Sequence, residues 1–182
     1  MAQVTILTLV GSLRAASVNR QLAELAVESA PDGVALTIYE GLDELPFYNE
    51  DIDTDSPPAA VAALRAAAAQ ADGALVVTPE NNGTIPAVLK NAIDWLSRPW
   101  GAGDLKDKPV AVIGSALGRY GGAWAHDETR KSLGIAGPRV VEDITLSLPI
   151  STFDGKHPRE NADVGAAVRD AVGKLAAEVG RP

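Results

Sequence analysis

The chain of 182 residues has no cysteine, two histidines and few aromatic residues. Without cysteine, disulfide scaffolds, thiolate zinc sites, iron–sulfur clusters and thiol nucleophiles are excluded. The two histidines, His126 and His157, leave little material for a histidine-ligated metal or a Ser-His-Asp hydrolase. We therefore expect no metal site. Because the side chains offer so few reactive groups, we expect a bound cofactor to carry the chemistry.

Basic residues and long apolar runs are also scarce. The 16 Lys and Arg against 24 Asp and Glu give a net charge of −8, so we expect neither nucleic acid nor a membrane as partner, since both are polyanionic. No apolar run approaches the roughly 20 residues of a membrane helix. The apolar segment at residues 4–10 lacks the basic residues that begin a signal peptide. These features predict a cytoplasmic protein.

Short apolar runs alternate with segments of helical periodicity along the chain. The apolar runs predict strands at residues 3–10, 34–39, 73–78, 109–115 and 139–146. The periodic segments predict helices at residues 19–29, 57–71, 85–96, 124–133 and 162–179. This alternation indicates a parallel sheet with helices on both faces, and right-handed crossovers then give three layers. Since no linker or repeat divides the chain, we predict one domain over residues 1–182.

Sheets of this kind bind ligands at the carboxyl ends of their strands, where the strand order reverses. The loop after the first predicted strand, GSLRAASVNRQLAE, lacks both the Walker A pattern and the three glycines of the dinucleotide fingerprint. It offers the hydroxyls of Ser12 and Ser17, the guanidinium of Arg14 and the amide of Asn19 at a predicted helix start. These groups suit a phosphate monoester. Ser17 or Asn19 could equally be an ordinary helix cap, with Arg14 at the surface.

Two further loops carry unusual residues at predicted strand ends. TPENNGTIPAVLKNAIDWLSRP contains a turn whose N–H groups can bond the edge of a flat heterocycle. SALGRYGGAWA places glycines around Arg119 and Tyr120, which indicates close approach of another group to the backbone. Trp95 is expected to pack in the core or contact a second subunit rather than stack on a ligand.

These three segments resemble the signature loops of the NADPH-dependent FMN reductase family, a flavodoxin-like group that includes chromate and quinone reductases and azoreductases. The resemblance covers roughly residues 3 to 135. It implies a flavodoxin-like three-layer α/β/α sandwich with five parallel strands in the order 2-1-3-4-5. It also implies FMN as cofactor and NADPH or NADH as electron donor.

The resemblance assigns a role to each loop. The FMN phosphate is expected to be held by Ser12, Arg14, Ser17 and Asn19. The isoalloxazine is expected to be lined by Pro79, Glu80, Asn81, Asn82 and Gly83. Its flanks are expected to be formed by Ser115, Gly118 and Arg119. The chain departs from the family at Asn81, because the family's loop reads PEYN and an aromatic ring is therefore missing here.

The activity implied by the resemblance is that of an NAD(P)H oxidoreductase. Hydride passes from NAD(P)H to flavin N5, and the acceptor is a quinone, an azo compound, a metal oxyanion or free flavin. Donor and acceptor share one site, so the kinetics are ping-pong, and no side chain is required as a proton-transfer catalyst. A homodimer or homotetramer is also implied, and Trp95, Trp100 and Trp124 are expected to supply aromatic surface near the site.

Two alternatives stay open from the residues. A flavodoxin-type electron carrier would suit the acidic surface, which can dock basic redox partners. A phosphate-binding domain that never meets flavin is the other. Arg14 and the scarcity of aromatics that could sandwich a flavin favour the reductase over the carrier.

Overall fold

Five strands and five α-helices alternate along residues 3–181, the part of the chain that the computed structural model describes. The strands are β1 (Val4–Val10), β2 (Val34–Ile38), β3 (Gly73–Val77), β4 (Pro109–Ala116) and β5 (Arg139–Pro149). The α-helices are α1 (Val18–Glu28), α2 (Ala59–Gln70), α3 (Ala87–Leu96), α4 (Ala123–Ala136) and α5 (Ala162–Ala177). Short 3-10 helices lie at Leu42–Glu44, Glu50–Ile52, Ile150–Phe153 and Pro158–Glu160. Every predicted strand and helix is present.

The five strands form one parallel sheet in the order β2-β1-β3-β4-β5. This confirms the predicted flavodoxin-like topology. The chain moves outward from β1 to β2 and then crosses back to β3, so the order reverses between β1 and β3. The carboxyl ends of these two strands border the place where such sheets bind ligands.

Side chains of the central strands alternate between two apolar layers. Leu7 and Leu9 of β1 pack in a cluster with α2 and α3, whereas Ile6 and Val10 pack in a second cluster with α1 and α5. Trp95 belongs to the first cluster and is 0% exposed, with its Nε1 donating to the Pro46 carbonyl at 2.8 Å. Trp95 is therefore a core residue and adds nothing to an exposed aromatic surface.

Most element bounds differ from the sequence prediction by one to three residues. Helix α2 begins at Ala59 and α3 at Ala87, two residues later than predicted in each case, because Pro58 and Pro86 have extended backbones and stand just before the helices. Strand β5 runs to Pro149 and pairs its last three residues with Gly114, Ser115 and Ala116 of β4. The extra length places the end of β5 beside the loop that follows β4.

Helix α5 packs on the same face of the sheet as α1. Its apolar stripe, Val164, Val168, Val172 and Leu175, is buried in the second cluster. Among the helices of residues 3–181, none combines the length and the apolar composition that a bilayer span requires.

Candidate active site

The loop after β1 holds its own shape with short polar side chains. The Ser17 hydroxyl caps α1 by accepting from the Asn19 N–H at 3.2 Å, and the Ser17 N–H donates to the Arg14 carbonyl at 3.0 Å. The Ser12 hydroxyl accepts from the Arg14 N–H at 3.4 Å. At the loop's start, a Cβ on Gly11 would lie 2.3 Å from Thr78 Oγ1, so only glycine fits there.

Backbone donors remain available in this loop and in the first turn of α1. Within residues 3–181, no intramolecular acceptor meets the N–H groups of Leu13, Ala15, Ala16 and Val18. The open end of a helix carries a partial positive charge as well as unpaired donors. The arrangement therefore suits an anion with several oxygens.

Two arginines border the loop and differ in what they can bind. Arg20 is fixed by both oxygens of Glu40 at 2.6 Å and by Glu24 at 3.0 Å. The hydrogen bond from Arg20 holds the pKa of Glu40 below its ordinary value. Arg14 is exposed, and its guanidinium has no hydrogen bond or ion pair to the described chain. Arg14 is thus the cation that can meet a phosphate.

A cavity of about 430 Å³ opens on the β2 side of this loop. It lies between residues 12–15 and the acidic side chains of Glu40 and Asp43, and neither the loop after β3 nor the loop after β4 contributes to its lining. The carboxylates of Glu40 and Asp43 repel an anion. A phosphate in this cavity is therefore favoured on the side of Arg14.

Asn19 joins the loop after β1 to the end of β4. Its Nδ2 donates to the Ser115 carbonyl at 2.9 Å, and its Oδ1 accepts from the Ser115 N–H at 2.8 Å. Asn19 is buried, and these bonds fix its amide in place. The Ser115 hydroxyl is buried, and no group of residues 3–181 forms a hydrogen bond with it. A buried unpaired hydroxyl is costly, so Ser115 has capacity for a ligand.

The loop after β3 ends in a tight hairpin. Asn81 and Thr84 exchange two backbone hydrogen bonds at 3.1 Å. Between them, Asn82 and Gly83 have φ of 51° and 77°, the type I′ geometry that an Asn-Gly pair favours. The Asn81 N–H is used inside the hairpin. Within residues 3–181, those of Glu80, Asn82 and Gly83 have no intramolecular acceptor.

Helix α4 holds this hairpin from the other side. The Glu80 carboxylate accepts from the Ala125 N–H at 3.2 Å and so caps a helix that has no cap of its own. Thr84 Oγ1 donates to the Glu128 carboxylate on the next turn of α4. The side chain of Glu80, which was predicted to line the isoalloxazine, fixes the hairpin to α4 in the structure.

The loop after β4 and the first turn of α4 present the side chains of Arg119, Tyr120 and Trp124, which we call the α4 rim. The guanidinium carbon of Arg119 lies 4.5 Å from the Tyr120 ring centre, and the two side chains are hydrogen-bonded. The Tyr120 and Trp124 ring centres are 5.7 Å apart. Tyr120 is 50% exposed and Trp124 58% exposed. A Cβ on Gly83 would lie 3.6 Å from Trp124 Cε3, so the rim adjoins the hairpin.

Arg119 and Gly118 were predicted as site residues, Trp124 was expected only as aromatic surface near the site, and Tyr120 was given no role. Gly118 is exposed with open space around it. The available signal was the pair of aromatic residues in the glycine-rich segment that follows β4.

Below the loops lies His126, which is 0% exposed. Its Nε2 is 2.9 Å from the Thr78 carbonyl and its Nδ1 is 2.6 Å from Ser147 Oγ. Because a carbonyl only accepts, Nε2 carries the proton, and in the neutral ring Nδ1 accepts from the Ser147 hydroxyl. Burial lowers the pKa of His126 below its ordinary value. From the sequence, His126 was noted only as one of the two histidines, and no structural role was predicted for it.

The predicted site residues lie on the three loops at one edge of the sheet. Asn19 contacts Ser115, and Gly83 adjoins Trp124 of the α4 rim. The family model described as NADPH-dependent FMN reductase matches residues 4–152. The chain belongs to this family.

Known relatives of this reductase agree with the assignment. It is 43% identical over 134 residues to a quinone reductase of Pseudomonas putida, which covers 73% of this chain and 72% of that protein. It is 44% identical over 125 residues to a 2-hydroxy-1,4-benzoquinone reductase of Burkholderia sp, covering 69% and 67%. FerB, a flavoenzyme NAD(P)H:(acceptor) oxidoreductase from Paracoccus denitrificans, superposes with a TM-score of 0.83 at 28% identity and 96% coverage of both chains.

The family and these relatives identify FMN as the cofactor of this reductase and NAD(P)H as its electron donor. The residues present fit FMN. Unpaired N–H groups and Arg14 match a phosphate dianion, and the N–H groups of Asn82 and Gly83 match the acceptor atoms along the edge of a flavin ring. The unpaired Ser115 hydroxyl adds a donor between these two regions.

Proposed function

We propose that this reductase uses NAD(P)H to reduce quinones, with FMN held by the loops after β1, β3 and β4. The four unpaired N–H groups beside the unpaired Arg14 are the observation that carries the proposal. FMN held by these loops would supply two-electron redox chemistry between NAD(P)H and the acceptor. The overall balance is NAD(P)H plus a proton plus quinone giving NAD(P)⁺ plus hydroquinone.

The residues of the loop after β1 divide into binding and positioning roles in this proposal. Arg14 and the backbone N–H groups bind the phosphate, because an ionised donor and a helix start both favour a dianion. Ser12, Ser17 and Asn19 line the phosphate site and hold the loop in shape through the bonds that their side chains make to backbone groups.

Residues 79–83 would hold the flavin ring in this proposal, together with Ser115, Gly118 and Arg119. Pro79, Glu80 and Asn81 would supply surface for it, and the N–H groups of Asn82 and Gly83 would supply hydrogen-bond donors. Donors fixed in a hairpin stabilise negative charge on the ring edge without rearranging.

We expect ping-pong kinetics, because the proposed ring surface has one open side for both donor and acceptor. Initial rates at several quinone concentrations should give parallel double-reciprocal plots. Azo compounds, metal oxyanions and free flavin are further candidate acceptors on the same open side.

Substituting Arg14→Ala tests the phosphate anchor. Losing one charge-assisted contact costs about 1.5–3 kcal/mol, which is roughly a ten- to hundred-fold increase in the Kd of FMN. The Kd is measured by the quenching of FMN fluorescence on binding. Arg169→Ala is the matched control, since Arg169 is an exposed arginine on α5. An unchanged Kd in Arg14→Ala would contradict the assignment of Arg14 to phosphate binding.

Measurements of NADPH oxidation and FMN binding distinguish the reductase from a flavodoxin-type carrier and from a phosphate-binding domain. Pure protein with FMN and a quinone should oxidise NADPH continuously, whereas a flavodoxin-type carrier would leave NADPH absorbance constant. A protein that fails to quench added FMN fluorescence would favour a phosphate-binding domain without flavin.

We further propose that residues 1–182 form a single domain that acts in the cytoplasm as a homodimer or homotetramer. Trp100 is 65% exposed and Ile135 60% exposed beside a shallow hollow of about 190 Å³ between α3 and α4. Exposed apolar side chains of this size suit a subunit contact. Sedimentation at a mass near 18.8 kDa would contradict the oligomer.

A further inference from the structure

The α4 rim carries an uncompensated positive charge. Arg119 lies on Tyr120, and no carboxylate of the described chain pairs with it. The acidic side chains of neighbouring α4 positions are bonded elsewhere, since Asp127 pairs with Arg130 and Glu128 accepts from Thr84. The chain has a net charge of −8, yet Arg119 presents a positive charge beside the proposed ring site.

The rim also offers aromatic surface that is not used in packing. From Arg119 the contacts run 4.5 Å to the Tyr120 ring and 5.7 Å onward to the Trp124 ring. Trp124 ends beside Gly83, at the tip of the hairpin. A cation therefore lies at the outer end of two half-exposed rings, and the proposed ring site lies at the inner end.

We propose that the α4 rim selects planar aromatic electron acceptors that carry a negative charge, such as quinones with an ionised hydroxyl or a sulfonate. Arg119 pairs with the anionic substituent, and Tyr120 and Trp124 stack on the flat ring. The inference rests on the proposed function, because the acceptor takes two electrons from NAD(P)H through the same site and two protons complete the hydroquinone.

Each part of the rim has a separate physical signature. Pairing between Arg119 and an anion weakens as salt is added, because the contact is exposed. Stacking on Trp124 depends on ring area and is insensitive to salt. Charge and ring contributions can therefore be separated by ligand and by ionic strength.

The binding test uses FMN-saturated protein and two redox-inert ligands, naphthalene-2-sulfonate and the neutral naphthalene-2-sulfonamide, measured by calorimetry. We expect the sulfonate to bind about three- to fivefold more tightly than the sulfonamide at low salt. Arg119→Gln should bring this ratio close to one. Trp124→Leu should weaken both ligands about fivefold and leave their ratio unchanged. Arg169→Gln is the control and should keep the wild-type values.

The kinetic test compares 1,4-naphthoquinone-2-sulfonate with 1,4-naphthoquinone as acceptors. The quantity compared is the ratio of their kcat/KM values, in which any effect of Arg119→Gln common to both quinones cancels. We expect Arg119→Gln to lower this ratio about three- to fivefold, and added salt to lower it in the wild type but not in the variant.

Three results would overturn the inference while leaving the proposed function intact. In the first, FMN binding and NADPH oxidation persist but both ratios are the same in Arg119→Gln and the wild type. In the second, Arg119→Gln raises the KM of NADPH but not of NADH, with acceptor ratios unmoved, which assigns Arg119 to the donor. In the third, Trp124→Leu changes the sedimenting mass but not ligand binding, so that a second copy covers the rim. Loss of FMN binding in the wild type would instead refute the proposed function.

Discussion

The loop after β1 and the α4 rim lie at the same edge of one sheet but are built in opposite ways. In the loop, the polar side chains of Ser12, Ser17 and Asn19 bond to backbone groups, and unpaired N–H groups are left for a ligand. In the rim, backbone groups play little part, and Arg119 and Trp124 expose their side chains. The loop offers backbone donors held by its own polar side chains, whereas the rim offers exposed side chains that contact one another.

This difference matches two kinds of ligand. Fixed backbone donors lose little conformational entropy on binding, which suits a cofactor group that never varies. Long exposed side chains lose rotamer freedom, so they bind weakly and adapt to ligands of varied shape. The comparison assigns affinity to the loop after β1 and selectivity to the α4 rim.

Gly114, beneath both regions, gives the largest expected effect. A Cβ there would lie 2.1 Å from the Thr78 carbonyl oxygen, 2.8 Å from Asn19 Oδ1 and 2.9 Å from His126 Nε2. Gly114→Ala should therefore lower the free energy of unfolding by about 3 kcal/mol, because backbone has to move to accept the methyl group. Urea denaturation measures the loss, and both FMN and naphthalene-2-sulfonate should bind more weakly.

Gly165→Ala is the matched control for this substitution. Gly165 lies inside α5 with open space where its Cβ would be. Alanine is the better helix former, so this variant should gain about 0.5–1 kcal/mol. Equal stability of Gly114→Ala and the wild type would contradict the close packing beneath the two regions.

Asn19→Ala should separate the two regions with a smaller cost. The substitution leaves the buried N–H and carbonyl of Ser115 without their partner, which costs about 2 kcal/mol of unfolding free energy. FMN should bind more weakly because the loop after β1 loses its two hydrogen bonds to Ser115. The preference for naphthalene-2-sulfonate over its sulfonamide should persist in protein saturated with FMN.

Asn49→Ala provides the control for a lost asparagine. Asn49 caps an exposed 3-10 turn by accepting from Asp51, so its loss should cost about 1 kcal/mol or less. If Asn19→Ala abolishes the sulfonate preference along with FMN affinity, the two regions do not act separately.

The order of elements and the location of the site could be predicted because both depend on local patterns. Alternating apolar runs and helical periods determine a doubly wound sheet, and topology brings the carboxyl ends of β1, β3 and β4 together. The Asn-Gly pair at residues 82–83 likewise predicts its own turn.

Roles that depend on contacts between distant residues could not be predicted. Asn19 bonds to a residue 96 positions away, and His126 to one 21 positions away, on the part of β5 that lies beyond the predicted strand. Glu80 caps α4 across 45 positions. No spacing in the sequence encodes these partners, because they are set by how the elements pack.

The missing ring at Asn81 shows the same limit. From the sequence, the site loses aromatic surface there. In the structure, Trp124 lies beside Gly83 and returns aromatic surface from another element. The amino-acid composition of one loop therefore does not predict the surface of a site that three loops form together.

His126 gives the smallest expected effect and tests the support that lies below both regions. Because burial lowers its pKa below the ordinary 6.5, the folded protein binds this proton more weakly than the unfolded chain does. The resulting stability is complete above about pH 6.5 and declines as the pH falls toward the lowered pKa, by at most about 1.4 kcal/mol per pH unit. In His126→Gln the amide can donate to Thr78 and accept from Ser147 but cannot titrate.

Urea denaturation at about pH 7.5 and about pH 5.5 measures this difference. His126→Gln should lose less unfolding free energy between the two pH values than the wild type, since carboxylates contribute equally to both proteins. A wild-type pH dependence in His126→Gln would mean that the ring beneath the loops binds its proton as readily folded as unfolded, and that its neutral form does not hold the Thr78 carbonyl in place.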